Sequence, residues 1–193
     1  MENLLTRNSK LSKASVYTVN FGIPALKTCP MADKCKAYCY ATKGAYAWPV
    51  VKAAYERRFQ ATKQEDFDVR IVEEIARRPL IEAVRIHDAG DFYNKEYLFA
   101  WMRIANTMPE RTFYFYTKRV SMVKDQHIFM PKNLIPIYSI GGTEDRHIRT
   151  DKDRHSKIFD SLEALEAEGY VNATEDDTIA WQSSNNKIGL VIH

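Results

Sequence analysis

From residue 16 onward, short runs dense in β-branched and aromatic residues alternate with longer stretches whose apolar positions return every three or four residues. The first pattern predicts strands and the second helices. Residues 16–21 (VYTVNF) form the first predicted strand, ended by Gly22 and Pro24. A helix is predicted over 49–63, with Pro49 in its first turn. A second is predicted over 67–78, where Val69, Val72 and Ile75 recur at near-helical spacing and Pro79 stops the run. Then come a strand over 83–87, a helix over 95–108 with Tyr97, Leu98, Trp101, Ile104 and Ala105 on one face, and a strand over 112–116. A short helix over 121–129 precedes a strand over 134–140 that ends in Gly141-Gly142. Residues 153–168 read as a helix with an Ile158, Leu162, Leu165 stripe, and 178–181 and 188–192 as two closing strands.

Such alternation predicts βαβ units and a largely parallel sheet. Five or six strands are too few for a closed eight-stranded barrel. The expected fold is therefore α/β: a partial (β/α) barrel or a curved, mostly parallel sheet of five to six strands. It forms one domain over 16–193, preceded by a polar arm over 1–15. In such folds the functional rim lies at the C-terminal ends of the strands. Five loops are placed there: the one after the first strand, then Asp88-Ala89-Gly90-Asp91, Thr117-Lys118-Arg119, Gly141-Gly142-Thr143 and Gln182-Ser183-Ser184-Asn185.

The first of those loops changes the picture most. It holds every cysteine of the chain, Cys29, Cys35 and Cys39, within eleven residues. An odd number excludes complete internal disulfide pairing. Three clustered thiolates suit a metal centre with one open position. The favoured occupant is a 4Fe–4S cluster with three cysteine ligands and one free iron. Zinc, with a fourth ligand from Asp33, His87 or water, and thiols holding no metal are the alternatives. Lys34 and Lys36 beside the thiols offset thiolate charge.

Composition narrows the setting. At 45% hydrophobic and 27% charged, 193 residues are enough to bury a substantial core. The formal charge is only +3, with acids and bases interspersed, which is no nucleic-acid footprint by charge. No apolar run of about twenty residues predicts a membrane span. The first fifteen residues lack the apolar core of a signal peptide, so unpaired cysteines and this start together predict a cytoplasmic location.

The remaining rim residues carry two readings each. His87 and Asp88 either end their strand through hydrogen bonds or contact a substrate. Asp91 either caps the helix that starts near Asn94 or binds a cofactor. Lys118 and Arg119 either are solvated or hold a carboxylate or phosphate; Gln182 is a further candidate for substrate contact. Gly141-Gly142 predicts a tight turn, and no lysine-serine pair follows it as in a P-loop. The charged run 144–155 predicts a solvated, mobile loop. Along 113–116, Phe and Tyr alternate, so one set is core and the other faces a cavity.

A cysteine loop directly after the first strand of a (β/α) partial barrel resembles the radical S-adenosylmethionine superfamily. The common pattern there is Cys-x3-Cys-x2-Cys with an aromatic before the last cysteine; this chain has Cys-x5-Cys-x3-Cys, with Tyr38 at the aromatic position. The resemblance implies Tyr38 beside the adenine of S-adenosylmethionine, Gly90 and Asp91 near its amino group, and Lys118 or Arg119 on a carboxylate. Most of the chain resembles the bacteriophage gene-product-88-like proteins. That resemblance rests on Phe21-Gly22-Ile23-Pro24, Lys27-Thr28-Cys29-Pro30, Cys35-Lys36-Ala37-Tyr38-Cys39-Tyr40-Ala41 and Arg85-Ile86-His87-Asp88-Ala89-Gly90-Asp91-Phe92-Tyr93. It implies a phage origin and a cluster but no specific reaction; an enzyme acting on S-adenosylmethionine and a non-catalytic protein that binds a host or phage partner both stay open.

Overall fold

The computed structural model describes residues 3–37 and 39–192. Seven strands form one sheet in the order β1-β2-β3-β4-β5-β7-β6. They are β1 (Thr18–Phe21), β2 (Ala83–Ile86), β3 (Thr112–Thr117), β4 (Leu134–Ser139), β5 (His155–Phe159), β6 (Val171–Asn172) and β7 (Lys187–Val191). Every pairing is parallel, and the sheet curls into a half-barrel. Between strands run α1 (Pro49–Ala61), α2 (Phe67–Ala76), α3 (Lys95–Thr107), α4 (Val120–Lys124), α5 (Leu162–Ala167) and α6 (Ile179–Gln182).

The period-two pattern of the central strands separates two cores. Val84, Ile86, Phe113 and Phe115 point to one face, where they meet Ile71 and Ile75 of α2 and Leu98, Trp101 and Ile104 of α3. Each of these large apolar side chains is removed from water, contributing about 1.5–3 kcal/mol. Ala83 and Tyr114 point to the other, concave face, with Ile137, Ala180 and Ile188. The alternation over 113–116 thus resolves with the phenylalanines on the helical side and the tyrosines inside the curl.

Two C-terminal expectations are corrected. Residues 153–168 are not one helix but β5 followed by α5. Ser161 breaks the run, its Oγ accepting from the Ala164 amide at 3.2 Å as the helix N-cap. Residues 178–181 are the start of α6, with Thr178 at its N-cap position, rather than a strand. Asp176 accepts from the Thr178 amide and hydroxyl at 2.9 and 2.7 Å, which turns the chain into helix against the β-propensity of its residues. With β5 and the two-residue β6 added and 178–181 removed, the count becomes seven.

The N-terminal segment is packed onto the sheet. Leu4, Leu5 and Leu11 are buried, and the amides of Leu4 and Leu5 donate to the Glu74 carboxylate at 2.7 and 3.1 Å. It crosses the open side of the curl to meet the segment after β6. There Ser15 and Thr178 share a hydroxyl hydrogen bond at 2.8 Å, and Lys10 pairs with Asp177 at 2.7 Å. The charged run 144–155 is likewise tied down: Glu144 accepts from the Ser121 amide, Asp153 pairs with Lys124, and His155 is fully buried in β5.

Candidate functional site

The cysteine loop arches over the C-terminal mouth of the half-barrel. It leaves β1 at Gly22 and reaches across to the loop after β4. There Ala32 forms an antiparallel bridge with Gly142, and the Thr143 amide donates to Met31 O at 3.0 Å. The loop after β2 supports it from below. The Ile23 amide donates to Ala89 O at 3.0 Å. Gly90 has φ +88°, and a Cβ there would stand 2.7 Å from Thr28 Oγ1 and 2.8 Å from Ile23 O. Only glycine permits both that backbone angle and that approach.

Cys29, Cys35 and Cys39 are free and half-buried. Burial pushes the Cys29 thiol up to about 12, and the charges of Asp91, Cys39 and Cys35 push it the same way. A thiol this hard to ionise is no nucleophile on its own. It would become a thiolate only beside a strong positive charge, as a metal provides. Among the described residues, no three His, Cys, Asp or Glu side chains are gathered around a single-ion position. The ligands of a cubane each take a different iron and therefore stand further apart than those of one zinc ion. Three thiols are the ligand set that a cubane with one open iron would take, whereas a zinc ion would need a fourth ligand as well.

Asp91 is buried and fastens two loops. Its Oδ1 accepts from the Thr117 hydroxyl and the Phe92 amide, both at 2.7 Å, and its Oδ2 from the Lys118 amide at 2.8 Å. Burial raises its carboxyl pKa against those hydrogen bonds. It is not the helix cap; Asn94 Oδ1 fills that role, accepting from the Tyr97 amide at 2.9 Å. Lys118 donates its ammonium to Ser139 at 2.7 Å and packs against Gly142. Arg119 lies over the Met122 sulfur at 3.3 Å, its Nε buried without a partner. In the glycine turn, Asp145 occupies the amides of Gly141 and Gly142 at 2.8 and 2.9 Å, so no phosphate cradle exists there.

Gln182 does not join this rim. It ends α6, which leads into the start of β7, so it lies exposed at the N-terminal edge of the sheet. Tyr38 lies outside the described residues. The loops after β1, β2, β3 and β4 converge as the strand pattern requires; the fifth does not.

His87 is buried with a left-handed backbone, φ +67°. Its Nε2 shares a hydrogen bond with the Tyr97 hydroxyl at 3.0 Å, and its Nδ1 is unpartnered. Burial, and then the Arg85 charge, lower its pKa to about 3, so it is neutral at pH 7. The unfolded chain binds that proton near pH 6.5 and the folded chain does not. Stability is therefore expected to fall as pH drops from about 6.5 toward 3. His87→Gln should show a shallower loss of melting temperature across that window. An unchanged slope would mean that His87 is not the group responsible.

Two clusters carry no local sequence signal. Around Asp88, the Tyr55 and Tyr46 hydroxyls donate to Oδ2 at 2.7 and 3.3 Å, and the Tyr40 hydroxyl donates to the backbone oxygen. The three rings stack edge to face in series, tying the residue after Cys39 to the end of β2 and to α1. A cavity of about 460 Å³ opens beside them, lined by Pro24, Ala41, Tyr46, Lys52, Tyr55 and Ala89 among others. Inside the curl, Asp177 binds Arg85 at 3.2 Å, Lys10 at 2.7 Å and the Tyr114 hydroxyl at 2.6 Å. Only spatial proximity between the chain's ends and β2 reveals that network.

Compared with known proteins, residues 3–191 match the family model described as gene product 88. The chain belongs to the gene product 88 family. No curated protein and no solved structure matches it. The match to this gene product 88 protein covers the cysteine loop, all seven strands and the loops that meet over the mouth. Among its described residues, no helix is long and apolar enough to cross a membrane.

Proposed function

We propose that this is a cytoplasmic bacteriophage protein that holds a 4Fe–4S cluster on Cys29, Cys35 and Cys39 and acts on S-adenosylmethionine in the manner of the radical S-adenosylmethionine superfamily. One observation carries the reading: three half-buried thiols on the loop after the first strand, arched over the C-terminal mouth of a parallel half-barrel. When bound, a cluster of this kind supplies the electron for reductive cleavage of the cofactor's sulfonium. The protein supplies position and water exclusion. Gly90 lets the β2 loop approach the base of the cysteine loop, and Asp91 locks the β2 and β3 loops together. Lys118, braced by Ser139 beside the bridge at Gly142, is the group for the cofactor carboxylate. Tyr38, outside the described residues, is the group that the resemblance assigns to the adenine.

A second reading is favoured by Asp91 itself. Its oxygens are already engaged by three donors, which leaves little capacity for a cofactor amino group. On that reading the cluster is structural or redox-sensing, and the surface binds a host or phage protein.

Protein purified without oxygen from iron-replete cells is expected to contain about four irons and four sulfides per chain. Replacing any one cysteine with alanine should abolish or destabilise the cluster. Stoichiometric zinc without iron would overturn the cluster. Titrating S-adenosylmethionine into the reduced protein separates the two readings. A changed magnetic resonance signal with measurable heat supports the enzyme, and no change in either supports the binding protein.

A further inference from the structure

The chain's net charge conceals a local concentration. Residues 22–55 hold five lysines, Lys27, Lys34, Lys36, Lys43 and Lys52, against one acid, Asp33. That segment is +4, whereas the whole chain is +3, so all other residues together carry −1. The fold exposes all five lysines. Lys27 is engaged by Glu56 at 2.8 Å, and the other four make no ion pair among the described residues. Two aromatic rings stand among them with unusual exposure: Tyr40 is 56% exposed and Trp48 61%. Neither lines the cavity described above, but both adjoin residues that do. Ala41 and Thr42 of its lining join Tyr40 to Lys43, and Lys52 of its lining sits one helical turn beyond Trp48.

From this arrangement we propose that the face formed by the cysteine loop and the start of α1 binds single-stranded nucleic acid. Phosphates lie on Lys43 and Lys52, continuing toward Lys34 and Lys36, and bases stack on Trp48 and Tyr40. Flat aromatic rings interleaved with exposed cations match a strand whose bases are unstacked; a duplex hides its base faces. The cavity has the volume for one base: about 460 Å³ falls within the range of small-molecule sites, and its walls are small side chains together with Tyr46, Tyr55, Lys52 and Glu56, whose carboxylate pairs with Lys27. Chain-wide charge pointed away from nucleic acid because the −1 remainder dilutes the segment. The proposal goes beyond the cluster reading and does not need the thiols to hold anything.

Fluorescence anisotropy with a labelled short oligonucleotide tests it, on the apoprotein and on the iron-loaded protein, with iron content measured in parallel. Saturable binding is expected at about 50 mM salt, weakening steeply as salt rises. The double variant Lys43→Ala/Lys52→Ala should flatten the slope of log affinity against log salt by about 1.4, the value for two single-strand phosphate contacts. Trp48→Ala should weaken binding by about fivefold to 150-fold. Lys132→Ala, exposed before β4 at the opposite edge, should change neither. All variants should melt as the wild type does, which keeps loss of binding separate from loss of fold. No binding at low salt, or a double variant indistinguishable from wild type, would overturn the proposal. So would competition by polyglutamate or duplex equal to that by single strand, the first pointing to an acidic protein partner. Iron content leaves this outcome untouched, so failure here and failure of the cluster are distinguishable.

Discussion

Asp177→Ala is expected to lower stability by about 3–5 kcal/mol, the usual consequence of leaving buried charge uncompensated. At the scale of a domain this size that is a drop in melting temperature on the order of 10 °C. Asp177 is fully buried inside the curl and is the carboxylate that both Arg85 and Lys10 contact. Its removal leaves two cations facing each other in a poorly solvated space, and leaves the Tyr114 hydroxyl without its acceptor. Burial alone would raise the Asp177 pKa. Arg85, then Lys10, outweigh it and hold the carboxyl below its usual value. The stabilisation is therefore fully present above the ordinary carboxylate range and is lost as pH falls through the folded pKa beneath it. Asp177→Asn, which keeps an acceptor for Tyr114 but no charge, separates the two contributions. Thermal melts at several pH values would measure both. A melting temperature for Asp177→Ala within about 2 °C of wild type would show that the two cations find water or another partner.

Gly90→Ala is expected to cost about 3 kcal/mol or more, from two additive causes. An alanine at φ +88° pays for a backbone region that L-residues avoid, about 1–3 kcal/mol. Its Cβ would also press on Ile23 Cγ1 at 2.5 Å and on the Ile23 carbonyl at 2.8 Å, overpacking that costs about 1–3 kcal/mol. One of those neighbours is backbone and cannot swing aside. The base of the cysteine loop must then lift, so iron retention should fall together with melting temperature. Gly44→Ala is the comparison: it also has positive φ but meets nothing within 4 Å. It should cost only the backbone term and leave iron content alone. Equal effects at both positions would mean that the close approach to Ile23 and Thr28 does not matter.

Strand–helix alternation was legible up to β4 because the strands there are dense in β-branched and aromatic residues and the long helices between them repeat their apolar spacing. Ala83, Val84 and Ile86, and the alternating Phe and Tyr of β3, announce strands through composition alone. Beyond β4 the closing strand over 188–192 was read correctly as β7, but β5, β6 and α6 were missed. Two residues of β6 and four of α6 carry no period, and side-chain hydrogen bonds to Ser161 and Asp176 decide where the chain turns. The same limit applied to the site. Cys29, Cys35 and Cys39 stand out by spacing, and parallel topology then puts the loops after β1 to β4 at one rim. Gln182 was misplaced because its position depended on reading 178–181 as a strand.

What the sequence determined by itself is the class of the fold and the location of the thiols, since both follow from local pattern: period, turn residues and cysteine spacing. Tertiary structure alone decided which distant residues share a site. Asp88 collects hydroxyls from Tyr40, Tyr46 and Tyr55, and Asp177 collects Lys10 and Arg85 from up to 167 positions away, through contacts that no local window contains. It also decided that Asp91 is a latch between loops and that five lysines of one segment all face water. The physical reason is common to both: burial and pairing depend on what the folded chain brings near a group, and only the folded half-barrel sets that.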